Sequence, residues 1–235
     1  MAHLKDKVAV ITGGTGALGA VIAQRLIDEG SAVFVSYLFD KELAHLSEVF
    51  KRNVKILKAD VTDERQVKEL YDVVVRESSR VDIVVNAVGG FLPRKPITEV
   101  ASSEWELMMN INLKSTFLST REALRRMQGQ RYGRIINISA MVGLSPSPGR
   151  APYAISKAGV SMLTEIVAQE IKGTGITINA IAPSIIATPA NLAAMPDEDS
   201  SKWVKPEEIA DLVSYLCTEP AGAISGTTFK AYGGV

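Results

Sequence analysis

Short, continuous apolar runs recur along the whole chain and are separated by longer segments with helical periodicity. A run such as residues 8–11 is typical of a strand that is buried on both faces, as in a parallel sheet. The intervening segments place apolar residues three and four positions apart, which predicts amphipathic helices. This alternation predicts one α/β domain, a doubly wound parallel sheet of about seven strands with helices on both faces. The predicted strands are residues 8–11, 32–36, 54–57, 81–85, 134–139, 176–182 and 227–232.

The predicted helices include two long ones. Helices are predicted from about residue 18 to a C-cap at Gly30, and over 63–77, 102–127, 152–172 and 206–218. The helices over 102–127 and 152–172 have apolar faces broader than one contact with a sheet requires, so we expect a homo-oligomer. A polar segment at about 190–205 is interpreted as a short substrate lid. No break in composition divides the chain, so residues 1–235 are predicted to form a single domain.

Charge and composition exclude several functional classes. The chain has 26 basic and 26 acidic residues, a balance that favours neither nucleic acid nor an anionic membrane as a partner. A single cysteine, Cys217, allows no internal disulfide, and two distant histidines, His3 and His45, disfavour a metal site. The first apolar run is too short for a signal peptide or a membrane span. We therefore expect a cytoplasmic protein that binds no metal.

A glycine-rich turn joins the first predicted strand to the first helix. Gly14, Gly16 and Gly19 form a G-x-G-x-x-G pattern in the required order of strand, turn and helix. Glycines at this spacing allow a tight turn and a close approach of the backbone to a pyrophosphate at the N-terminus of the helix. A turn that serves packing alone is the alternative. The context favours a dinucleotide site.

The end of the second predicted strand normally decides which dinucleotide binds. An acidic residue there binds the ribose hydroxyls of NAD and repels the 2′-phosphate of NADP. Here Tyr37 follows the strand, with neither an acid nor an arginine beside it, and Lys41 is the nearest cation. The sequence therefore favours NADP(H) over NAD(H). The alternative is that Asp40 swings in and serves as the missing acid.

Polar residues mark three further positions. Asp60 follows the third predicted strand, where it meets the adenine amino group, caps the next helix, or does both. The fourth strand ends at Asn86 and leads to a Gly-Gly-Phe segment, at the strand ends where such sheets bind ligands. Asn112 lies within an otherwise apolar helix and is costly there unless its side chain is hydrogen-bonded.

Tyr153 and Lys157 are the candidate catalytic pair. Four residues apart at the start of a predicted helix, they share one helix face. A cation beside a phenol stabilises the phenolate and lowers the tyrosine pKa from its usual value of about 10. Such a tyrosine donates or accepts a proton near neutral pH. The alternative is an amphipathic helix with a snorkelling lysine, and the upstream dinucleotide motif favours the catalytic interpretation.

With these motifs in place, the chain resembles the short-chain dehydrogenase/reductase family over its whole length. The resemblance rests on residues 12–19, 60–62 and 86–89, on Asn112 with Leu113, on Tyr153 with Lys157, and on residues 183–188. It implies a single-domain Rossmann fold, NAD(P)-dependent oxidoreduction and a homotetramer.

The same resemblance implies roles for individual residues. Tyr153 is the acid/base, Lys157 binds the nicotinamide ribose and lowers the tyrosine pKa, and Asn112 holds a water in a proton relay. Ile186 and Thr188 contact the nicotinamide carboxamide. The other cofactor-binding residues that the resemblance implies are Gly13, Thr15, Gly16, Ala17, Leu18, Gly19, Tyr37, Asp60, Val61, Asn86, Ala87, Val88, Gly89 and Pro183.

Three departures from the family pattern stand out. The middle glycine of the turn is Ala17, and the usual Asn-Asn-Ala-Gly is Asn-Ala-Val-Gly at residues 86–89. The family's catalytic serine, thirteen residues before the tyrosine, is Ala140 here. Ser139 is adjacent, but side chains alternate faces along a strand, so we interpret it as a structural serine aimed away from the site. An irregular strand end, or Ser145, would be the alternative source of a hydroxyl.

Within the family, some segments are similar to those of the dihydropteridine reductases, namely residues 13–19, 89–91 and 188–203. That group also has alanine at the serine position, since its quinonoid substrate needs no serine to orient an oxygen. The likeness implies substrate contacts from Gly90, Phe91, Met195 and Trp203. Against it, that group has an acid where this chain has Tyr37.

These observations predict an NAD(P)H-dependent reductase of a small, planar, activated substrate such as a quinonoid dihydropterin, a quinone or an imine. Tyr153 supplies the proton. The first alternative is an ordinary carbonyl reductase or alcohol dehydrogenase. The second, from another class, is an NAD(P)-binding sensor or scaffold that lost catalysis with the serine. The intact Asn112, Tyr153 and Lys157 argue against it.

Overall fold

Seven strands form one parallel sheet in the computed structural model, which describes residues 3–235. The order across the sheet is β3-β2-β1-β4-β5-β6-β7, and each neighbouring pair is parallel. The strands are β1 (Val8–Thr12), β2 (Ala32–Tyr37), β3 (Val54–Lys58), β4 (Ile83–Asn86), β5 (Gly133–Ile138), β6 (Ile176–Pro183) and β7 (Thr228–Ala231). The predicted doubly wound α/β fold is confirmed.

Helices cover both faces of this sheet. They are α1 (Ala17–Asp28), α2 (Glu48–Asn53), α3 (Glu64–Ser78), α4 (Ser102–Met108), α5 (Ser115–Met127), α6 (Met141–Leu144), α7 (Ala151–Glu170), α8 (Pro189–Ala194) and α9 (Pro206–Leu216).

Two hydrophobic cores lie on opposite faces of the sheet. Ala9 and Ile11 of β1 join one core with α1, α2 and α9. Val8 and Val10 join the other core with α3, α5 and α7. Consecutive residues of β1 thus enter opposite cores, as the pleat of a strand requires. This explains why the strand is apolar throughout rather than alternating.

Some element boundaries differ from the prediction. Helix α1 is capped by Glu29, one residue before the predicted cap; Gly30 follows it in the left-handed conformation, with φ of +92°. The helix predicted over 102–127 is interrupted by a π-helical segment, Met109–Lys114, between α4 and α5. The periodic pattern continues through this segment and therefore does not reveal it. A 3₁₀ helix, Asp40–His45, together with α2 and α6, was not predicted.

The topology places a crevice at the carboxyl ends of the central strands. The chain runs from β1 outward to β2 and β3, then returns to β4 on the other side of β1. Connections that leave β1 and β4 in opposite directions open a crevice between them, where sheets of this kind bind their ligands.

Candidate active site

The glycine turn brings the N-terminus of α1 to this crevice. Gly13 adopts φ of +67°, which favours glycine, and its amide donates to Ser36 Oγ at 3.1 Å. A Cβ on Gly19 would lie 2.2 Å from the Gly13 carbonyl oxygen, so only glycine allows helix and turn to pack this closely. Ala17 and Leu18 begin α1 directly after the turn. The first amides of a helix have no partner inside it, and here they are available to a pyrophosphate.

A cavity of about 670 Å³ adjoins this turn. Of the predicted cofactor residues, it is lined by Gly13, Gly16, Tyr37, Asp60, Val61, Ala87, Val88 and Gly89. Its wall also contains Leu107, Asn110 and Ile111, which were not predicted. A Cβ added at Gly13 would lie 2.8 Å from Val88 Cγ2, which shows how closely the turn meets the end of β4. A volume of this order accommodates a nucleoside, so these residues fit the adenosine half of a dinucleotide.

Asp60, a predicted cofactor residue, forms side-chain hydrogen bonds within the protein. The Asp60 carboxylate accepts from the amide and the hydroxyl of Thr62, at 2.9 and 2.7 Å. The α3 N-cap is Asp63, whose carboxylate accepts from the Gln66 amide at 3.0 Å. The capping alternative for Asp60 is therefore wrong, because Asp63 is the N-cap; the helix begins at Glu64, close to its predicted start at residue 63.

Asn86 is almost completely buried at the end of β4. Its Nδ2 donates to Thr120 Oγ1 at 3.1 Å and to Asn137 Oδ1 at 2.8 Å. The side chain thus links β4 to α5 and β5. A cofactor contact from Asn86 stays a prediction, while the neighbouring Ala87 lines the cavity.

Asn112 lies in the π-helical segment and is fully buried. Its amide makes a paired contact with Gly90, whose N–H donates to Oδ1 at 3.0 Å and whose carbonyl accepts from Nδ2 at 3.0 Å. Nδ2 also donates to Ser156 Oγ at 3.1 Å. The predicted need for a hydrogen-bond partner is thus met. The Asn112 carbonyl accepts from Thr116 Oγ1 at 2.8 Å, which supports the irregular helical turn.

Lys157 reaches the same point from α7. Its buried ammonium donates to the Ile138 carbonyl at 2.8 Å. A Cβ on Gly89 would lie 3.0 Å from Lys157 Nζ and 2.9 Å from Asn112 Oδ1, so the three residues meet at the mouth of the cavity. Burial lowers the pKa of Lys157 to about 8, because charge is costly away from water.

The proton affinity of Tyr153 differs from the prediction. Burial raises the pKa of this tyrosine, and the charge that opposes the rise belongs to Arg150. The physical reason is that Lys157 is directed at the Ile138 carbonyl, whereas Arg150 lies one helical turn before the tyrosine. The phenol therefore keeps its proton at neutral pH, which suits a proton donor.

The position of the family serine is apolar. Ala140 is buried and belongs to a small cluster with Val142 and Ala154, against which Tyr153 packs. The Ser139 hydroxyl donates to the Lys157 carbonyl at 2.9 Å and lies 3.0 Å from Ser161 Oγ, within the packing between β5 and α7. Ser139 thus braces the helix that carries the tyrosine and lysine.

The outer side of the tyrosine faces the segment after β4. The Phe91 ring is exposed, and its centroid lies 6.5 Å from that of Tyr153, with the rings tilted by 59°. Arg150 and Tyr153 line a small cleft together with Leu92 and Pro93. The buried Nε of Arg150 has no hydrogen-bond partner among residues 3–235.

Of the two lid residues predicted to meet substrate, Trp203 is 5 % exposed and Met195 is half-buried. Val204, beside Trp203, pairs with Ile186 in a short parallel bridge. Tryptophan at this depth supports the base of the segment and has no free ring face to offer a substrate in this conformation. A substrate contact from Met195 stays a prediction.

The predicted nicotinamide-side residues follow β6. Pro183 is the last residue of that strand. The Ile186 carbonyl accepts from Asn191 Nδ2 at 2.9 Å, and Thr188 caps α8 by accepting from the Asn191 amide at 3.3 Å. These contacts fix the segment between strand and lid, and the carboxamide contacts of Ile186 and Thr188 stay predictions.

Two charged residues of the site were not predicted from the sequence. Glu42 lines the cavity from the 3₁₀ helix, and Arg150 precedes α7. The one available signal was the spacing of Phe39 and Glu42, since an acid three residues after a helix start often caps it. The Phe39 amide indeed donates to Glu42 Oε1 at 2.8 Å.

The fold and site are typical of a dinucleotide-dependent oxidoreductase: a glycine turn borders a cavity of nucleoside size, and Asn112 and Lys157 meet beside Gly89 in its wall. A family model of the short chain dehydrogenases matches residues 7–199. The chain belongs to this family of NAD(P)-dependent dehydrogenases and reductases. Among residues 3–235, no helix combines the length and apolarity of a membrane span, and no group of three or more His, Cys, Asp and Glu forms a metal cluster.

Several curated relatives match almost end to end. The chain is 33% identical to a 3-oxoacyl-[acyl-carrier-protein] reductase of Rickettsia conorii, covering 100% of this chain and 99% of the relative. It is 30% identical to a cyclopentanol dehydrogenase of Comamonas sp., covering 100% and 98%. The crystal structure of gox2181 superposes with a TM-score of 0.92 at 26% identity, covering 99% of this chain and 96% of that one.

Proposed function

We propose that this protein reduces a small, planar, activated substrate, of the quinonoid dihydropterin, quinone or imine type. Bound NAD(P)H supplies the hydride. Tyr153 donates the proton to the substrate atom that receives the displaced electron pair, and solvent then returns a proton to the phenolate. The glycine turn and the cavity hold the nucleotide, while Lys157 and Asn112 lie beside Gly89 in the cavity wall.

The observation that carries this proposal is the buried alanine at the family's serine position, against which Tyr153 packs. Ala140 takes that position, and Ser139 is bonded to Lys157 and Ser161. A ketone oxygen gains negative charge as hydride arrives. Loss of one preorganised hydrogen-bond donor to that oxygen raises the activation free energy by about 2.7–4 kcal/mol. A quinonoid or iminium-like substrate has a lower intrinsic barrier and tolerates that loss.

The exposed Phe91 supports a planar substrate. Its ring lies beside Tyr153 at the entrance to the site, where it offers an aromatic face to a flat ligand. Arg150, with an unpaired buried Nε, supplies positive charge on the same side. Together they favour an aromatic or quinonoid ligand over an aliphatic ketone.

A second candidate is an ordinary carbonyl reductase or alcohol dehydrogenase. The names of two relatives, a 3-oxoacyl-[acyl-carrier-protein] reductase and a cyclopentanol dehydrogenase, favour it. Under this candidate, Tyr153 alone would polarise a ketone oxygen.

Stopped-flow oxidation of NADH and NADPH against four substrates separates the candidates. The substrates are a quinonoid dihydropterin, a quinone, cyclopentanone and a 3-oxoacyl thioester. We expect kcat/KM for the activated pair to exceed that for the carbonyl pair by about 10²–10³-fold. Faster turnover of the ketone or thioester establishes the second candidate, and no turnover of any substrate favours a sensor or scaffold.

We also propose that the protein assembles into a homo-oligomer, most simply a tetramer. Ile155, Met162 and Ile166 share one face of α7 and are 48–57 % exposed. Phe117, on the neighbouring α5, is 40 % exposed. Contiguous exposed apolar residues mark contacts with another protein, and the resemblance to the family makes a second copy of this chain the natural occupant.

A further inference from the structure

We propose that the Glu42 carboxylate occupies the niche that a 2′-phosphate requires and thereby makes the enzyme prefer NAD(H) to NADP(H). This inference concerns the nucleotide alone. It rests on the family's use of NAD(P) and does not depend on the substrate proposed above.

The carboxylate of Glu42 is held by three donors from two separate segments. Thr15 Oγ1, in the glycine turn, donates to Oε2 at 2.6 Å. Beyond β2, the amides of Phe39 and Leu38 donate to Oε1 at 2.8 and 3.4 Å. A hydroxyl and two successive backbone amides are the donors with which proteins bind phosphate oxygens. The protein thus builds an anion niche and fills it with its own side chain.

The niche lies at the end of β2, where proteins of this fold bind the ribose of a dinucleotide. Glu42 lines the nucleoside cavity together with Gly16 of the glycine turn, Tyr37 at the end of β2 and Asp60 beyond β3. The end of β2 is the position from which an acidic residue binds the ribose hydroxyls in proteins of this fold. Glu42 reaches it from the 3₁₀ helix, so the acid missing beside the strand is supplied from five residues further on.

The surrounding charges do not offset this acid. Within residues 3–235, no Lys, Arg or His forms an ion pair with Glu42. Lys58, whose ammonium lies 5.8 Å from the centre of the Tyr37 ring, donates to Asp40 at 2.8 Å, and Lys41 lies over the Phe39 ring at 5.5 Å. A 2′-phosphate would therefore meet a carboxylate and would have to displace it from all three donors. Ribose hydroxyls instead find an acceptor. This reverses the NADP(H) preference predicted from Tyr37.

Titration of the purified full-length protein with nucleotides, in the absence of substrate, tests the proposal. NADH and NADPH are followed by nucleotide fluorescence, and 5′-AMP and 2′,5′-ADP by calorimetry. We expect the wild type to bind NADH at least about tenfold more tightly than NADPH, which corresponds to one carboxylate–phosphate repulsion. Glu42→Ala frees the three donors, so NADPH and 2′,5′-ADP affinity should rise at least about tenfold, and Glu42→Gln should give a smaller rise.

Two further variants locate the effect. Asp40→Ala removes an exposed carboxylate from the same 3₁₀ helix but also frees Lys58, so it should change the NADH/NADPH ratio by less than Glu42→Ala does. Thr15→Val in the Glu42→Ala background removes the hydroxyl donor with little change in shape and should reverse part of the gain for 2′,5′-ADP. A wild type that prefers NADPH, or a Glu42→Ala ratio equal to the wild-type ratio in a variant that still binds 5′-AMP, overturns the proposal. A ratio shifted by Asp40→Ala and not by Glu42→Ala would assign the selectivity to Asp40 and overturn it as well.

Discussion

At the level of single residues, the proposed reaction depends on the protonation states of Tyr153 and Lys157. Burial acts on both, raising the pKa of the tyrosine and lowering that of the lysine to about 8. At neutral pH the phenol is therefore protonated and the ammonium is largely charged. In the proposed mechanism, this is the state in which the tyrosine donates a proton and the lysine attracts the hydroxyls or phosphates of a nucleotide.

The pH dependence of reduction follows from these two directions. Because Lys157 loses its proton near pH 8 while Tyr153 keeps its own, kcat/KM should be level between about pH 6 and 7.5 and fall above pH 8. The measurement is kcat/KM over this range with nucleotide affinity followed in parallel. A level profile to about pH 9.5 would show that the ammonium either stays charged or is not needed.

Ala140, at the family's serine position, should indicate which class of substrate the enzyme reduces. Ala140→Ser places a hydroxyl beside Tyr153 and should raise kcat/KM for simple ketones by more than it does for quinonoid substrates. Ser139→Ala removes a hydroxyl that is bonded inside the protein and should leave both substrates nearly unchanged in kcat/KM. Measuring both variants on both substrates checks this. A loss of about 10²-fold in kcat/KM for Ser139→Ala would identify Ser139 as the catalytic serine.

Some residues of the site could be identified from the sequence alone, and others could not. Tyr153 and Lys157 could be identified because their spacing is local and places them on one helix face. Glu42 and Arg150 could not, because their effect depends on how distant segments fold back on the site. The direction of the Tyr153 pKa was missed for the same reason, since it depends on burial and on which atom Lys157 contacts.

At the level of elements, the strands and long helices were predictable and the irregular pieces were not. The central strands are rich in apolar residues and the helices carry apolar stripes, so both kinds leave a recognisable pattern in the sequence. The π-helical segment Met109–Lys114 leaves none, yet it places Asn112 against Gly90 and Ser156. The 3₁₀ helix that carries Glu42 is short and polar, and its position is set by the contacts of that carboxylate.

The exposed stripe on α7 should hold the assembly together. Met162→Lys places a charge in the middle of the apolar face formed with Ile155 and Ile166, so it should shift the protein toward smaller species. Val49→Lys is the matched control, because Val49 is 65 % exposed against 57 % for Met162 but lies on α2, away from the stripe. Light scattering at micromolar concentration should show a tetramer for the wild type and control. A wild-type monomer would remove the proposal, and an intact tetramer in Met162→Lys would place the interface elsewhere.

At the level of the whole molecule, the site is a product of the topology. The glycine turn follows β1, the cavity wall follows β2, β3 and β4, and the tyrosine and lysine come from the helix after β5. Parallel strands bring all of these ends to one edge of the sheet. The carboxyl edge of the sheet was therefore predictable as the location of the site from the alternation of strands and helices, whereas the nucleotide and substrate preferences depend on the loops that follow the strands.

The central claim is that Tyr153 delivers the proton during hydride transfer. Single-turnover reduction of a quinonoid substrate by preformed enzyme–NADH complex, compared between wild type and Tyr153→Phe, tests it most directly. The account predicts a rate lower by about 10²–10⁴-fold in the variant, with nucleotide affinity nearly unchanged, whereas Lys157→Ala should lower both. A Tyr153→Phe enzyme that keeps most of the wild-type rate would show that substrate or water supplies the proton and would contradict the account.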